Sequence, residues 1–317
     1  MLDNSGYSIS AIVTFFFELL IGYRMSVSRD FVGYGPNPPK FLWPGGNRLA
    51  LSLVFNYEEG SEHSVVTDDT VETIGEFGPV DTKIRDVGME SVYEYGQRVG
   101  IWRILNLLRR HNAKATFYAT ARALEANENA AKAIIHDGHE ICDHGFSWTE
   151  LFKMSADEER EEIKKSVELI ERITGRKPVG FYAREPSSNT VNLLKEFKNF
   201  IYDSDSYADD IPYFERNTGM LIIPYAPDSN DFHFLNPINR FSNSRDFLIY
   251  LKDSFDTLYM ESVQQSKMMS AAFHIRITGR PGRLPALDEF LNYVKNKSKV
   301  WITTREEIAR FWIEKFG

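Results

Sequence analysis

From Pro38 to the C-terminus, apolar runs of strand length alternate with stretches of helical period, and this alternation restricts the possible folds more than any single motif does. Residues 49–55 (LALSLVF) are almost continuously apolar, as expected of a strand covered on both faces. Residues 61–90 are polar, lack a sustained period, and read as a long loop. Ile101, Ile104, Leu105 and Leu108 then recur at helical spacing. A strand follows over 113–120 and a helix over 121–137, which Gly138 closes. Ser155 and Glu158 have the spacing of a capping box and open a helix through Ile173 that Gly175 ends. The pattern continues with a strand at 179–183, a helix at 187–197, and strands at 200–202 and 221–224. Next come a long helix at 244–262, a strand at 268–275, a helix at 285–297, a strand at 300–303 and a helix from Arg305. About seven strand-then-helix units, without a glycine-rich phosphate fingerprint, predict an α/β chain folded as a parallel barrel, complete or nearly so, rather than an open doubly wound sheet.

Composition fits one such domain. The chain has 317 residues, 43% hydrophobic and 26% charged, with a formal charge of −8. That charge argues against nucleic acid or anionic lipid as a partner and favours a small-molecule or sugar substrate. Cys142 is the only cysteine, which excludes an internal disulfide and a thiolate zinc cluster and suits a reducing, cytoplasmic setting. The apolar run over 9–22 is broken by Glu18, is too short to span a membrane and has no basic segment before it. Residues 1–24 therefore read as an extension, possessing no part in the fold argument, and residues 25–317 as the single barrel domain.

Three separated segments each place acids or imidazoles just after an apolar run, where barrel strands deliver side chains to a common mouth: Asn56-Tyr57-Glu58-Glu59-Gly60, His139-Glu140-Ile141-Cys142-Asp143-His144, and Phe273-His274-Ile275-Arg276. Hydrolysis of an amide-like C–N bond needs an activated water, a stabilised oxyanion and a protonated leaving nitrogen. Glu58 or Glu59 is the expected general base, and the alternative is an exposed acidic pair on a loop. His274 is the expected general acid. Arg276, Arg184 and a protonated His144 or His274 are candidates for the oxyanion; a satisfied core histidine is the alternative for either imidazole. Trp148 reads as a platform for a flat ring or as a core tryptophan. Glu90 and Arg280 read as substrate contacts or as paired surface ions. Asp203 and Asp205 are expected to orient Arg184, His139 to be structural, and Cys142 to be a packed thiol.

In their order, these motifs, with Arg184-Glu185-Pro186 and Asp203-x-Asp205, resemble the motif series of the NodB-type polysaccharide deacetylases, carbohydrate esterases, and the resemblance implies their fold, an α/β distorted (β/α)7-8 barrel. The resemblance covers the chain from about Asp30 to its end. In that family, the first motif carries two aspartates, one a general base and the other a metal ligand, and the second carries two histidines four apart that complete the metal site. Here Glu58 and Glu59 replace the pair, and Trp148 stands where the second histidine would be. If a metal is bound, the resemblance makes Glu59 and His144 its ligands, with zinc the candidate under a deacetylase reading.

The departures are similar to those of a narrower subgroup, the PuuE-type metal-independent allantoinases. That likeness rests on Arg29-Asp30-Phe31-Val32-Gly33-Tyr34-Gly35, Met89 to Gly96 (MESVYEYG), His144 to Trp148, and His274 to Pro281. Arg184-Glu185-Pro186 instead keeps the arginine and proline of the polysaccharide deacetylases. The resemblance implies a hydrolase that opens allantoin or a related cyclic ureide with no cofactor, as a homo-oligomer without a membrane partner. Deacetylation of chitin or another N-acetyl amino sugar is the alternative, and an inactive carbohydrate-binding barrel a further one.

Overall fold

The computed structural model describes residues 29–67, 83–236, 238 and 240–317. Chain contacts divide it at Pro39. Before that point the described residues hold a turn in which Asp30 Oδ1 accepts from the backbone N–H groups of Val32 and Gly33. The expected extension over residues 1–24 lies outside the described residues.

Lys40–Gly317 forms the barrel. Its elements are β1 (Leu49–Tyr57), α1 (Val87–Tyr95), a π-helical turn (Gly96–Gly100), α2 (Ile101–His111), β2 (Thr116–Ala119), α3 (Ala121–Ala126), α4 (Glu128–His136), β3 (Glu140–Asp143) and α5 (Ala156–Thr174). They continue as β4 (Gly180–Phe181), α6 (Thr190–Glu196), β5 (Tyr202–Asp203), β6 (Tyr213–Phe214), β7 (Leu221–Ile222), α7 (Ser244–Glu261), β8 (Lys267–His274), α8 (Ile275–Thr278), α9 (Leu284–Lys295), β9 (Val300–Thr303) and α10 (Arg305–Phe316). The expected capping box at Ser155 and Glu158 is formed, and Gly175 ends α5 in a left-handed conformation.

Two expected elements differ. The helix expected over 121–137 is two helices, because Asn127 leaves helical geometry (φ −146°) and turns its side chain to cap Ala130 N–H. Within the loop expected over 61–90, Asp86 caps Met89 N–H and starts α1 at Val87; residues 68–82 lie outside the described residues.

The sheet runs β6-β7-β5-β4-β3-β2-β1-β8, with β9 beside the first half of β1. Every pairing is parallel except β6 with β7. The expected barrel is thus present, but its closure is irregular. Between β7 and β8 the segment after β7 makes one bridge, Asn230 to Ala272. Main-chain bonds from Ala272 N–H to Ser229 O and Met268 N–H to Asp210 O complete the joint.

Side chains alternate across each strand. Leu49, Leu51, Leu53, Phe55 and Tyr57 of β1 join the apolar layer beneath the helices, where Phe55 stacks on Phe117 of β2 at 5.3 Å and on Phe273 of β8 at 5.2 Å. The intervening residues face the barrel interior. Arg305, fully buried at the start of α10, fills the interior below the mouth; it donates to the hydroxyls of Ser204, Ser52 and Ser270 and to the carbonyl of Pro224. No helix among the described residues is long and apolar enough to cross a membrane.

Candidate active site

The same alternation sorts the chemical groups at the strand ends. Asn56 faces inward, where its side chain donates to Tyr225 Oη, so Glu58 also turns into the mouth and Glu59 turns out to the helix layer. In β3 and just beyond its end, Cys142 and His144 point inward, while Asp143 points out and accepts from Ser166 of α5 at 2.6 Å. In β8, Phe273 joins the outer layer and His274 faces in. Register levels these ends: Tyr57 pairs with Ala119, Ala119 with Asp143, and Asn56 with His274. Glu58, His144 and His274 therefore meet although they lie up to 216 positions apart in sequence, from 58 to 274.

Glu58 is the centre. Its Oε1 lies 3.1 Å from His144 Nε2, and its Oε2 lies 3.0 Å from Arg276 Nη1 and 3.8 Å from His274 Nε2. All four residues are buried. Burial pushes the Glu58 carboxyl upward, but the charge of His274, the hydrogen bond to His144 and the Arg276 guanidinium together outweigh it and hold the group well below the usual carboxylate range.

Both imidazoles are fixed from behind. His144 Nδ1 faces the Tyr182 carbonyl oxygen at 2.7 Å. A carbonyl only accepts, so Nδ1 carries a hydrogen and one further proton lies between Nε2 and Glu58. His274 Nδ1 faces Asp231 Oδ1 at 2.8 Å. Asp231 is fully buried and also accepts from His274 N–H and the Thr278 hydroxyl. Asp231 escaped sequence reasoning, because it sits on a single 3-10 turn (Asp231–Phe234) in an irregular stretch. Its only signal there is the acidic residue itself, which no hydrophobic period places.

Glu59 occupies a different environment. Its Oε1 accepts from Arg276 N–H at 2.8 Å, its Oε2 from Glu58 N–H at 3.2 Å, and it is fully buried. Burial pushes it up to about 7 against the opposing charge of Arg276. The π-helical turn presses on it: a Cβ placed on Gly96 would come within 2.7 Å of Glu59 Cγ. Gln97 of that turn accepts from Tyr57 Oη and donates to Glu59 O at 2.7 Å and Ala123 O at 3.0 Å, tying the turn to the end of β1.

The other expected site residues divide. Arg276 and Trp148 belong to the cluster: the guanidinium carbon of Arg276 lies 5.7 Å from the Trp148 ring and 4.7 Å from the Tyr93 ring. Arg280 stacks on Tyr95 at 3.7 Å, and Glu90 forms a two-pronged bond with Arg85 at 2.7 and 2.9 Å. Arg184 is not brought to Glu58; its side chain is largely exposed and pairs with Glu185. The expected orientation of Arg184 by Asp203 and Asp205 is also not what forms. Asp205 accepts from the backbone N–H groups of Ala183 and Arg184, both at 2.8 Å, and so fixes the main chain where Arg184 takes φ 69°. Burial raises both acids, Asp205 to about 6. His139 is buried with neither ring nitrogen partnered among the described residues, and burial lowers it to about 4. Cys142 is a buried free thiol.

A catalytic zinc takes three protein donors and a water. The donors here do not fit it. Glu59, expected beside His144, faces the helix layer, and it is Glu58 that meets His144. Trp148 has no lone pair to offer, and the Arg276 cation already lies 3.0 Å from Glu58. Among the described residues no group of three or more His, Cys, Asp or Glu could hold a metal ion.

Residues 89–200 match the family model described as "Polysaccharide deacetylase". A Schizosaccharomyces pombe protein named "Putative polysaccharide deacetylase" is 35% identical, over 92% of this chain and 98% of that protein. Two solved structures superpose with TM-scores of 0.87, each over 91% of this chain and 98% of the other. One is described as a "probable Polysaccharide deacetylase" from Pseudomonas aeruginosa PAO1, at 42% identity, and the other as "Puue Allantoinase", at 40%.

Proposed function

The chain belongs to the polysaccharide deacetylase family, whose members act on C–N bonds, and from that premise we propose that it opens the ring of allantoin or a related cyclic ureide without a metal. The observation that carries this reading is the contact of Arg276 with Glu58: a guanidinium, fixed by a buried carboxylate and flanked by two aromatic rings, supplies the positive charge that a developing oxyanion requires.

In the proposed reaction, water attacks a ring carbonyl carbon. Glu58, kept ionised by its cationic neighbours, takes a proton from that water. As the carbonyl oxygen becomes negative it competes with Glu58 for Arg276, and the carboxylate gains basicity at the moment it must accept the proton. His274 then protonates the departing ring nitrogen, while Asp231 on Nδ1 keeps Nε2 turned to the site and stabilises the imidazolium. His144 closes the cluster from the opposite side and holds Glu58 in place. Glu59 positions Arg276 through the backbone.

Removal of an N-acetyl group from an amino sugar is the second reading, and the family model and the S. pombe relative favour it by name. The test is turnover after exhaustive chelation, with allantoin and an N-acetylglucosamine oligomer offered in parallel to the wild type and to Glu58→Gln. Metal-free ring opening that vanishes in the variant is the expected result. Deacetylation alone, or activity that only zinc restores, sinks the ureide reading.

A further inference from the structure

Tyr93 lies in the run Met89 to Gly96, and the reaction as proposed gives it no task. Helix α1 carries it into the cluster, where it is only 3% exposed. Its ring lies 4.7 Å from the Arg276 guanidinium carbon and meets Trp148 edge-on at 5.8 Å. Packing accounts for the ring but not for the hydroxyl, which makes no hydrogen bond among the described residues and is not one of their fully buried unpartnered atoms, so solvent reaches it. A solvent-reached O–H beside a buried guanidinium and an indole can exchange its water for an acceptor on a bound molecule. Burial, reinforced by the carboxylates of Glu58, Glu62 and Glu59 and opposed by Arg276, keeps the phenol protonated, so it is available as a donor.

We propose that Tyr93 contacts the substrate directly, its hydroxyl donating a hydrogen bond to a carbonyl oxygen of the cyclic ureide bound against Glu58 and Arg276. This rests on the ureide reading of the site. A ureide ring offers more than one carbonyl oxygen: one becomes the oxyanion and takes Arg276, and another is left for a second donor. An N-acetyl group has a single carbonyl oxygen, for which Arg276 alone suffices. Tyr93 thus selects for the ring.

Tyr93→Phe removes the hydroxyl and keeps the ring against Arg276 and Trp148. With allantoin, KM is expected to rise about tenfold while kcat and the melting temperature stay close to those of the wild type. Calorimetric titration of allantoin into Glu58→Gln and into Glu58→Gln/Tyr93→Phe should show a Kd weaker by a similar factor in the double variant. If wild type opens allantoin and neither KM nor Kd moves, the Tyr93 proposal falls and the ureide reading stands. If wild type deacetylates the sugar oligomer and neither opens nor binds allantoin, both fall together.

Discussion

Arg276 Nη1 sits 3.0 Å from Glu58 Oε2, with both side chains withdrawn from solvent, so Glu58 is the nearest anion to Arg276 while Arg276 shares with His274 and His144 the task of holding Glu58 ionised. Removing one strands the other in a poorly solvating interior. Arg276→Met is expected to lower stability by about 3–5 kcal/mol and kcat/KM by roughly 10²- to 10³-fold. Urea unfolding and steady-state kinetics measure the two losses. Arg276→Lys, which keeps the charge but not the planar fork, should recover stability more than rate.

Asp231 holds His274 by its ring nitrogen and by its backbone N–H. Asp231→Asn keeps the shape but offers an amide where a carboxylate stood, and it no longer stabilises the imidazolium. A fall in kcat of about 10²- to 10⁴-fold is expected. Nearly wild-type kcat would remove His274 from the proton path.

Gly96→Ala tests the pressure of the π-helical turn on the site. The new methyl would meet Glu59 Cγ at 2.7 Å and Cδ at 2.8 Å. Either the turn or Glu59 must shift, at a cost of about 1–3 kcal/mol. Because Glu59 accepts from Arg276 N–H, activity should fall as well. A variant with full activity and unchanged urea midpoint would show that the contact is soft.

Asp143 predicts a pH signature. Its Oδ1 accepts from Gly145 N–H and the Ser166 hydroxyl, its Oδ2 is unpartnered among the described residues, and burial raises it from 3.8 to about 7. The folded state therefore keeps a proton that the unfolded chain releases near pH 4. The stabilisation is complete below that pH and is lost as pH rises to about 7, with a slope of up to about 1.4 kcal/mol per unit. Asp143→Asn, a permanent mimic of the neutral acid, should flatten the decline in urea stability across this window. Glu58 has the opposite sign: its stabilisation is fully present above the usual carboxylate range and is lost as pH falls from that range down through its depressed folded value.

Much of this was legible in the chain. Glu58, His144, His274 and Arg276 follow apolar runs, and strand ends of a parallel barrel converge by geometry. Which of Glu58 and Glu59 enters the mouth was not legible, because residues 49–55 are almost continuously apolar and show no alternation before the sheet forms. Asp231 was hidden because a 3-10 turn has no such period. Arg184 was overrated for a related reason: being near a short strand says nothing about side-chain direction once the backbone turns to positive φ.

The irregular joint between β7 and β8 has a dynamic consequence. β8 is laddered to β1 from Lys267 to His274, yet its other edge is held by a single bridge and a few main-chain bonds. Its two edges are therefore unequally stiff, and amide hydrogens along the β7 side should exchange with deuterium sooner than those bonded to β1. A cleft of about 440 Å³, lined by Tyr225, Ser229, Tyr250 and Met268 among others, opens beside the same joint. His274 thus rides on a strand with one loosely laddered margin, and local breathing of that margin is a route by which heat would disable the chemistry before the rest of the barrel melts.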